Sequence, residues 1–154
     1  MPDASGLEAI AQELRDADPT SVLGTTHSGG RAEIQIDPER NVAVLEHLRG
    51  RGYSFLASLH GVDYYPHEPR LGVIYELLDM TEVDRISVKA RVRIDDPKIA
   101  SVTGMWPGAN FPEREVYDMF GVEFEGHQQR RDFPVGGEPV LFTYNETDGY
   151  GADL

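Results

Sequence analysis

The sequence predicts a two-layer α+β domain in which helices cover one face of a mixed, mostly antiparallel sheet, followed by an extended C-terminal tail. Two observations support this fold class. Residues 85–94 (RISVKARVRI) alternate between apolar and basic side chains, which is the period of a half-buried strand. Segments with helical and strand periods also follow one another in the order α-β-β-α-β-β-β.

Composition excludes several classes of function. The chain has 154 residues, the length of one domain, and 40% of them are apolar, which is enough for a core. Its net charge of −13 argues against binding to nucleic acid or anionic lipid, since both need positive faces. The absence of cysteine excludes disulfides, Cys-ligated zinc and Cys-ligated iron–sulfur clusters.

Targeting segments are not recognisable. Residues 1–6 have neither the basic nor the apolar region of a signal peptide, and the strongest apolar stretch, residues 71–78, is too short to span a bilayer. We therefore expect a cytoplasmic chain that reaches a membrane through a partner.

The first third of the chain predicts a helix and a hairpin. Residues 6–16 place apolar side chains at helical spacing, with Ser5 as the expected N-cap. Two alternating runs within residues 22–36 flank Ser28-Gly29-Gly30, and this pattern indicates a β-hairpin with a glycine-rich turn.

A second helix is predicted after the hairpin. Asp37-Pro38 supplies an N-cap and a favourable first helical residue. The apolar face is expected to carry Val42, Leu45 and Leu48, and the helix is expected to end at Gly50.

Three strands should follow. Residues 53–62 lead into an aromatic, proline-containing loop, and residues 71–78 are apolar on both sides, which suits a central strand. In the next strand one set of side chains should face the core: Ile86, Val88, Ala90, Val92 and Ile94. The opposite face should carry Arg85, Lys89, Arg91 and Arg93.

The last third changes character. A Gly/Pro loop at residues 101–112 contains Trp106, and a short helix then follows with Asn110 as N-cap, Glu113 in capping-box relation to it and Gly121 as the terminating residue. From residue 111 onward there are 3 basic and 10 acidic residues. We expect three parts: an α+β domain at 1–100, the loop and helix at 101–121, and a partner-binding tail at 122–154.

Carboxylates on the short helix are candidates for acid–base chemistry. Glu113 and Glu115 point to different sides of a helix, whereas Glu115 and Asp118 could face each other. An ion pair between Arg114 and Asp118 is the alternative, and no nucleophile lies nearby in the sequence.

Two other groups invite functional interpretations. His60, Asp63 and His67 could bind a metal, although their spacing is looser than that of usual ligand sets, and ordinary loop histidines are the competing interpretation. The basic strand face could bind an anion or an acidic partner, or it could be a solvated face neutralised by cross-strand carboxylates such as Glu76.

The segment GANFPEREVYDMFGVEFEGH at residues 108–127 closely resembles the signature of the thirty-kilodalton subunit of proton-pumping NADH:quinone oxidoreductase (respiratory complex I). A second block of that family, basic residues before Asp-aromatic-Pro, is matched at residues 130–134. The resemblance implies a subunit-interface signature made up of Glu113, Arg114, Glu115, Tyr117, Asp118, Phe120, Gly121, Gly126, His127, Arg130, Arg131, Asp132 and Pro134.

In this family the subunit lies in the hydrophilic arm, beside the quinone-site subunit and the iron–sulfur subunits, on the cytoplasmic side of the inner membrane. The resemblance therefore implies that this chain has no catalytic, cofactor-binding or metal-binding residues, and that iron–sulfur clusters, FMN and quinone belong to partners. Related membrane-bound [NiFe]-hydrogenases and deazaflavin- or ferredoxin-dependent dehydrogenases are the nearest alternative. A free-standing metal-dependent enzyme and a stand-alone binding module are the others.

Overall fold

The structure, a computed structural model, describes residues 1–127, and this part of the chain contains three α-helices and seven strands. In chain order they are α1 (Ala4–Ala17), β1 (Val22–Ser28), β2 (Arg31–Ile36), α2 (Asn41–Arg51), β3 (Phe55–Asp63), β4 (Leu71–Asp79), β5 (Asp84–Val92), β6 (Lys98–Ala100), α3 (Asn110–Phe120) and β7 (Glu123–Glu125). Short 3₁₀ turns at Pro38–Arg40 and Pro107–Ala109 precede α2 and α3. The predicted element order is confirmed, and β6 and β7 are additional.

The main sheet has the strand order β1-β2-β5-β4-β3. Its strands pair antiparallel except β2 and β5, which run parallel and place Ile34 beside Val88. The apolar strand β4 is interior, as predicted, and the alternating strand β5 occupies the middle. The predicted mixed, mostly antiparallel sheet is confirmed.

The turn between β1 and β2 explains how the hairpin closes. Gly29 and Gly30 have φ values of 60° and 74°. Two consecutive positive φ angles are the geometry of a type I′ turn, whose twist matches that of the flanking strands. The predicted β-hairpin with a glycine-rich turn is confirmed.

The core lies between one face of the sheet and the helices. Ile86, Val88 and Ala90 of β5 are fully buried and belong to the same apolar cluster as Leu45 of α2. The predicted core position Ile94 is wrong: it is 47% exposed, because β5 ends at Val92 before reaching it. None of the described helices combines the length and apolarity needed to cross a bilayer.

Local signals misplaced the start of α1. Asp3, rather than the predicted Ser5, is the N-cap, and its Oδ1 accepts a hydrogen bond from the Gly6 N–H at 2.7 Å. The Ser5 hydroxyl donates to the same oxygen at 3.0 Å. Aspartate is as good a cap as serine. Capping by Asp3 therefore starts the helix at Ala4, two residues before the predicted start.

Helix α2 also differs from its prediction. It ends at Arg51, and the cap is Gly52 with φ of 125°, so Gly50 lies inside the helix. Its buried face carries Val44 with Leu45 and Leu48, whereas the predicted Val42 is only half-buried. Asp37, the predicted cap of this helix, caps the 3₁₀ turn before Asn41 instead, where its side chain accepts a hydrogen bond from the Glu39 N–H.

The position of Gly50 yields a stability prediction. A Cβ at Gly50 would meet no atom within 4 Å, and its backbone is helical. Gly50→Ala should therefore raise the free energy of unfolding by roughly 0.5–1 kcal/mol, since alanine loses less backbone entropy. Urea denaturation measures the change. A destabilised variant would show that residue 50 lies outside the helix.

Candidate functional site: a buried carboxylate beneath an exposed helix face

Helix α3 packs against the edge strand β3 on the core side of the sheet. Gly61 of β3 pairs with Val73, whose side chain is fully buried. A Cβ at Gly61 would lie 2.7 Å from Phe120 Cδ2 and 3.1 Å from Val116 Cγ1. Glycine at this position therefore allows the helix to approach the strand closely.

The first turn of α3 contains a buried carboxylate. Glu113 is 0% exposed, and it accepts hydrogen bonds from the Ser101 hydroxyl at 2.6 Å and the Val102 N–H at 2.7 Å. The predicted capping box is thus wrong: Ala109 is the N-cap, and Asn110 lies inside the helix. Glu113 reaches across to the preceding loop because that loop is held beneath the helix.

Burial changes the acidity of this group. Loss of solvation raises the pKa of Glu113 from 4.5 to about 7, and the hydrogen bonds from Ser101 and Val102 oppose the shift. A carboxyl with this pKa could exchange protons near neutrality. Its complete burial keeps it from contacting a substrate, so in this conformation its role is to hold the loop to the helix.

His127 closes the same cluster from the C-terminal side. Its Nε2 lies 3.1 Å from the Asn110 carbonyl and 3.7 Å from Glu113 Oε1. It is placed there by β7, which pairs in parallel with β6, and by Gly126, which has φ of 79°. We call Ser101, Asn110, Glu113 and His127 the Glu113 cluster.

Sequence reasoning missed a second set of buried contacts next to this cluster. The Asn41 amide donates to the Tyr75 hydroxyl at 3.2 Å and to the Ala100 carbonyl at 2.8 Å. These bonds join α2, β4 and β6. Burial raises the pKa of Tyr75, and the nearby Glu113 carboxyl acts in the same direction. No local spacing in the sequence could have indicated residues brought together from three elements.

The outer face of α3 is open to solvent and partly apolar. Phe111 and Met119 are 68% and 69% exposed, and Glu115 lies between them at helical spacing on the same face. We call Phe111 and Met119 the α3 face.

The candidate acid–base carboxylates, Glu115 and Asp118, lie three residues apart on α3. Both side chains are exposed. Partial burial raises the pKa of Asp118, the Arg114 charge opposes that shift, and the Glu115 charge adds to it. Gly121 ends the helix with φ of 78°, as predicted.

The structure brings some of the predicted interface residues together and separates others. Glu113 and His127 meet inside the domain, whereas Arg114, Tyr117 and Phe120 are partly buried on α3. Val122 and Phe124, at the start of the predicted tail, belong to the core. Arg130, Arg131, Asp132 and Pro134 lie outside the described residues, so the predictions made for them remain predictions.

The three residues proposed to bind a metal, His60, Asp63 and His67, do not converge on one site. Asp63 is engaged by Arg70 through two hydrogen bonds of 2.8 and 2.9 Å. Within residues 1–127, His60, Asp63 and His67 do not come together as a ligand set, and no other group of three His, Asp or Glu side chains does.

The fold and this site define a class of protein: a two-layer α+β domain in which helix α3 is anchored internally by a buried glutamate and displays an apolar outer face. The family model described as "Respiratory-chain NADH dehydrogenase, 30 Kd subunit" matches residues 34–135. The chain belongs to this family.

Individual relatives agree. The NADH-quinone oxidoreductase C subunit of Roseiflexus sp. (strain RS-1) is 39% identical over 155 residues, which cover 89% of each chain. NADH-quinone oxidoreductase subunit 5 of Thermus thermophilus is 34% identical over 137 residues, covering 73% of this chain and 66% of the relative.

Solved structures share the fold. A trypsin-resistant fragment of Nqo5 superposes with a TM-score of 0.67 at 34% identity, covering 79% of this chain and 96% of the fragment. A chain of the membrane-bound sulfane sulfur reductase, an archaeal respiratory membrane complex, has a TM-score of 0.65 at 23% identity, over 79% of this chain and 72% of that one. The second likeness shows the fold alone.

Proposed function

We propose that this chain is a structural subunit in the hydrophilic arm of a proton-pumping NADH:quinone oxidoreductase. There it helps to assemble the module that binds quinone, so that the complex can transfer electrons from NADH to quinone. It carries no cofactor itself, and the iron–sulfur clusters, FMN and quinone belong to its partners. Its place is peripheral, on the cytoplasmic side of the inner membrane. Family membership supports this proposal.

The observation that carries the proposal is the α3 face. Two large apolar side chains, Phe111 and Met119, stand on the same side of one helix and are more than two-thirds exposed. Each would contribute roughly 1.5–3 kcal/mol if a partner buried it. This helix is anchored to the domain by the hydrogen bonds of Glu113 and by its close contact with Gly61. An anchored helix with an apolar outer face suits docking to a neighbouring subunit.

The predicted tail extends this interface. We propose that α3 and residues 122–145 together contact the quinone-site subunit, with iron–sulfur subunits nearby. The domain division at residues 100 and 121 is part of the same proposal, with residues 122–127 contributing to both the core and the interface.

Substitution on the α3 face tests the proposal. Met119→Glu places a charge where a partner would exclude water, so it should lower recovery of the chain with its native neighbours by about tenfold or more. The measurement is affinity purification from the native host followed by quantitative mass identification of the neighbours.

Met80→Glu is the matched control, since Met80 is a methionine that is 67% exposed and lies outside α3, after β4. It should leave recovery unchanged. Equal recovery of both variants would contradict the docking role of α3. Hydrogenase subunits among the neighbours would replace the oxidoreductase assignment with the related-complex alternative.

A further inference from the structure

The face of the sheet opposite the helices is basic, although the chain as a whole carries a net charge of −13. Side chains of β5 alternate between the two faces, so the set opposite buried Ile86 and Val88 points away from the core. The charged side chains that the pleat places on this open face are Arg31, Glu33, Glu76, Arg85, Lys89 and Arg91. Four cations therefore stand against two carboxylates.

Two of the cations are neutralised within the sheet. Arg31 Nη1 lies 3.1 Å from Glu76 Oε2, so Glu76 pairs with a cation of β2 rather than with the β5 cations for which it was predicted, and Lys89 Nζ lies 3.4 Å from Glu33 Oε1. Ser87 donates a hydrogen bond to the other Glu76 oxygen at 2.7 Å. Both oxygens of Glu76 are thus already engaged.

The other two cations are not neutralised by any carboxylate in residues 1–127. The Arg91 guanidinium stacks on the Tyr64 ring at 4.3 Å, and its Nε and Nη2 are buried without a hydrogen-bond acceptor in the described part of the chain. Arg85 is exposed and forms no ion pair with any described residue. The open face therefore has an excess of positive charge that neither of its own carboxylates can balance.

A depression of about 390 Å³ opens on this face beside Arg85. Its polar lining is Arg31, Ser58, His60, Glu76, Arg85 and Ser87. Arg85 offers guanidinium donors, and Ser58 adds an exposed hydroxyl. Because Glu76 is already paired, the unused groups are mostly donors, and donors of this kind suit a carboxylate.

We infer that this depression receives a carboxylate side chain from an acidic segment of a neighbouring subunit. The inference rests on the proposed function, since it requires that the chain be part of an assembly. The net excess of one positive charge in the depression is small for holding a free anion from solution, because exposed ion pairs are weak. A carboxylate presented by a docked subunit needs no such affinity, and covering the face would strengthen the pair with Arg85.

The occupant is identified by photo-crosslinking within the assembled complex. The benzophenone amino acid p-benzoylphenylalanine replaces Ser58, which lines the depression without carrying charge. After irradiation of the full-length chain in the purified native complex, the crosslinked peptide is identified by mass. We expect a peptide of another subunit with aspartate or glutamate at or next to the crosslink. Attachment to residues 128–154 of the same chain, or the absence of a crosslink, would overturn the inference.

A charge reversal tests the role of Arg85. Arg85→Glu should lower the crosslink yield at least fivefold, whereas Arg93→Glu, which makes the same charge change at a 72% exposed residue outside the depression, should leave it within twofold. Equal yields would reject a carboxylate partner for Arg85. If the chain carrying Arg85 unchanged were not recovered with other subunits at all, the proposed function would have failed instead. The two failures are therefore distinguishable.

Discussion

Replacing Glu113 with alanine should lower the free energy of unfolding by about 2–4 kcal/mol. The substitution leaves the fully buried Val102 N–H without its acceptor, removes one of the partners of the half-buried Ser101 hydroxyl, and opens a cavity under α3. Urea denaturation followed by circular dichroism measures the loss. Because α3 is anchored through this group, the same variant should also lose partner subunits in affinity purification.

Glu113→Gln is the matched control for this substitution. The amide keeps an acceptor for Val102, and its NH₂ can donate to Ser101, whose hydroxyl can reverse its role. We therefore expect a loss below about 1 kcal/mol. A glutamine variant as unstable as the alanine variant would show that the carboxylate charge, rather than the hydrogen bonds, holds the loop to the helix.

The raised acidity of Glu113 predicts a pH dependence with a defined sign. Burial raises its pKa from 4.5 to about 7, so between these values the native state holds a proton that the unfolded state releases. The unfolded state then binds fewer protons, and stability falls as pH rises through this window, by at most about 1.4 kcal/mol per pH unit. Glu113→Gln should lack this slope.

The difference in stability between wild type and Glu113→Gln reports on Glu113 and not on the other carboxylates. Groups held by cations or backbone donors, such as Asp63, have a pKa lowered below 3.8, so their contribution is lost only under more acidic conditions. The pKa of Asp118 is raised too, but Asp118 is present in both wild type and Glu113→Gln, so its contribution cancels in the difference between them. The difference in free energy of unfolding between wild type and Glu113→Gln should therefore change between about pH 5 and about pH 7, with wild type losing stability relative to the variant at the higher pH. Parallel profiles would refute the buried ionisation.

Adding one methyl group at Gly61 should cost about 1–3 kcal/mol. The new Cβ would lie 2.7 Å from Phe120 Cδ2 and 3.1 Å from Val116 Cγ1, so α3 must move away from β3. Gly61→Ala should therefore reduce both the midpoint of urea unfolding and the recovery of partner subunits.

Two further variants make this test specific. In Gly61→Ala combined with Phe120→Leu, the smaller side chain gives the methyl group room, and we expect at least half of the lost stability to return. Gly104→Ala adds the same methyl group where no atom lies within 4 Å, so it should change stability by less than about 0.5 kcal/mol. Equal costs at positions 61 and 104 would mean that α3 does not pack on β3.

Local patterns predicted the strands and one helix end well. The alternation of residues 85–94 and the turn at Ser28-Gly29-Gly30 are confirmed, because a half-buried strand and a type I′ turn each depend on residues that are adjacent in sequence. Gly121 was likewise predicted as the end of α3 from its neighbours alone. The start of α1 was wrong because two good cap residues, Asp3 and Ser5, stand close together and spacing does not choose between them.

The contacts of Glu113 could not be predicted from the residues next to it in the chain. Its spacing from Asn110 predicted a capping box, yet its partners are Ser101 and Val102, which lie 12 and 11 residues earlier. The pairing of β6 with β7 helps to hold that loop in place beneath α3. Asn41 and Tyr75 escaped notice for the same reason, since their bond joins residues 34 apart in the chain.

By itself the sequence determined the fold class and, through the run from Glu113 to His127, the family. Both the fold class and the family depend on residues that are close together in the chain, so the hydrophobic period and the sequence motif reveal them directly. The tertiary structure decided that Glu113 is a buried anchor, that Phe111 and Met119 form an outer face, and that Arg85 stands beside a depression without an ion pair to any residue of 1–127. Burial and ion pairing depend on contacts between distant segments, and folding alone brings those segments together.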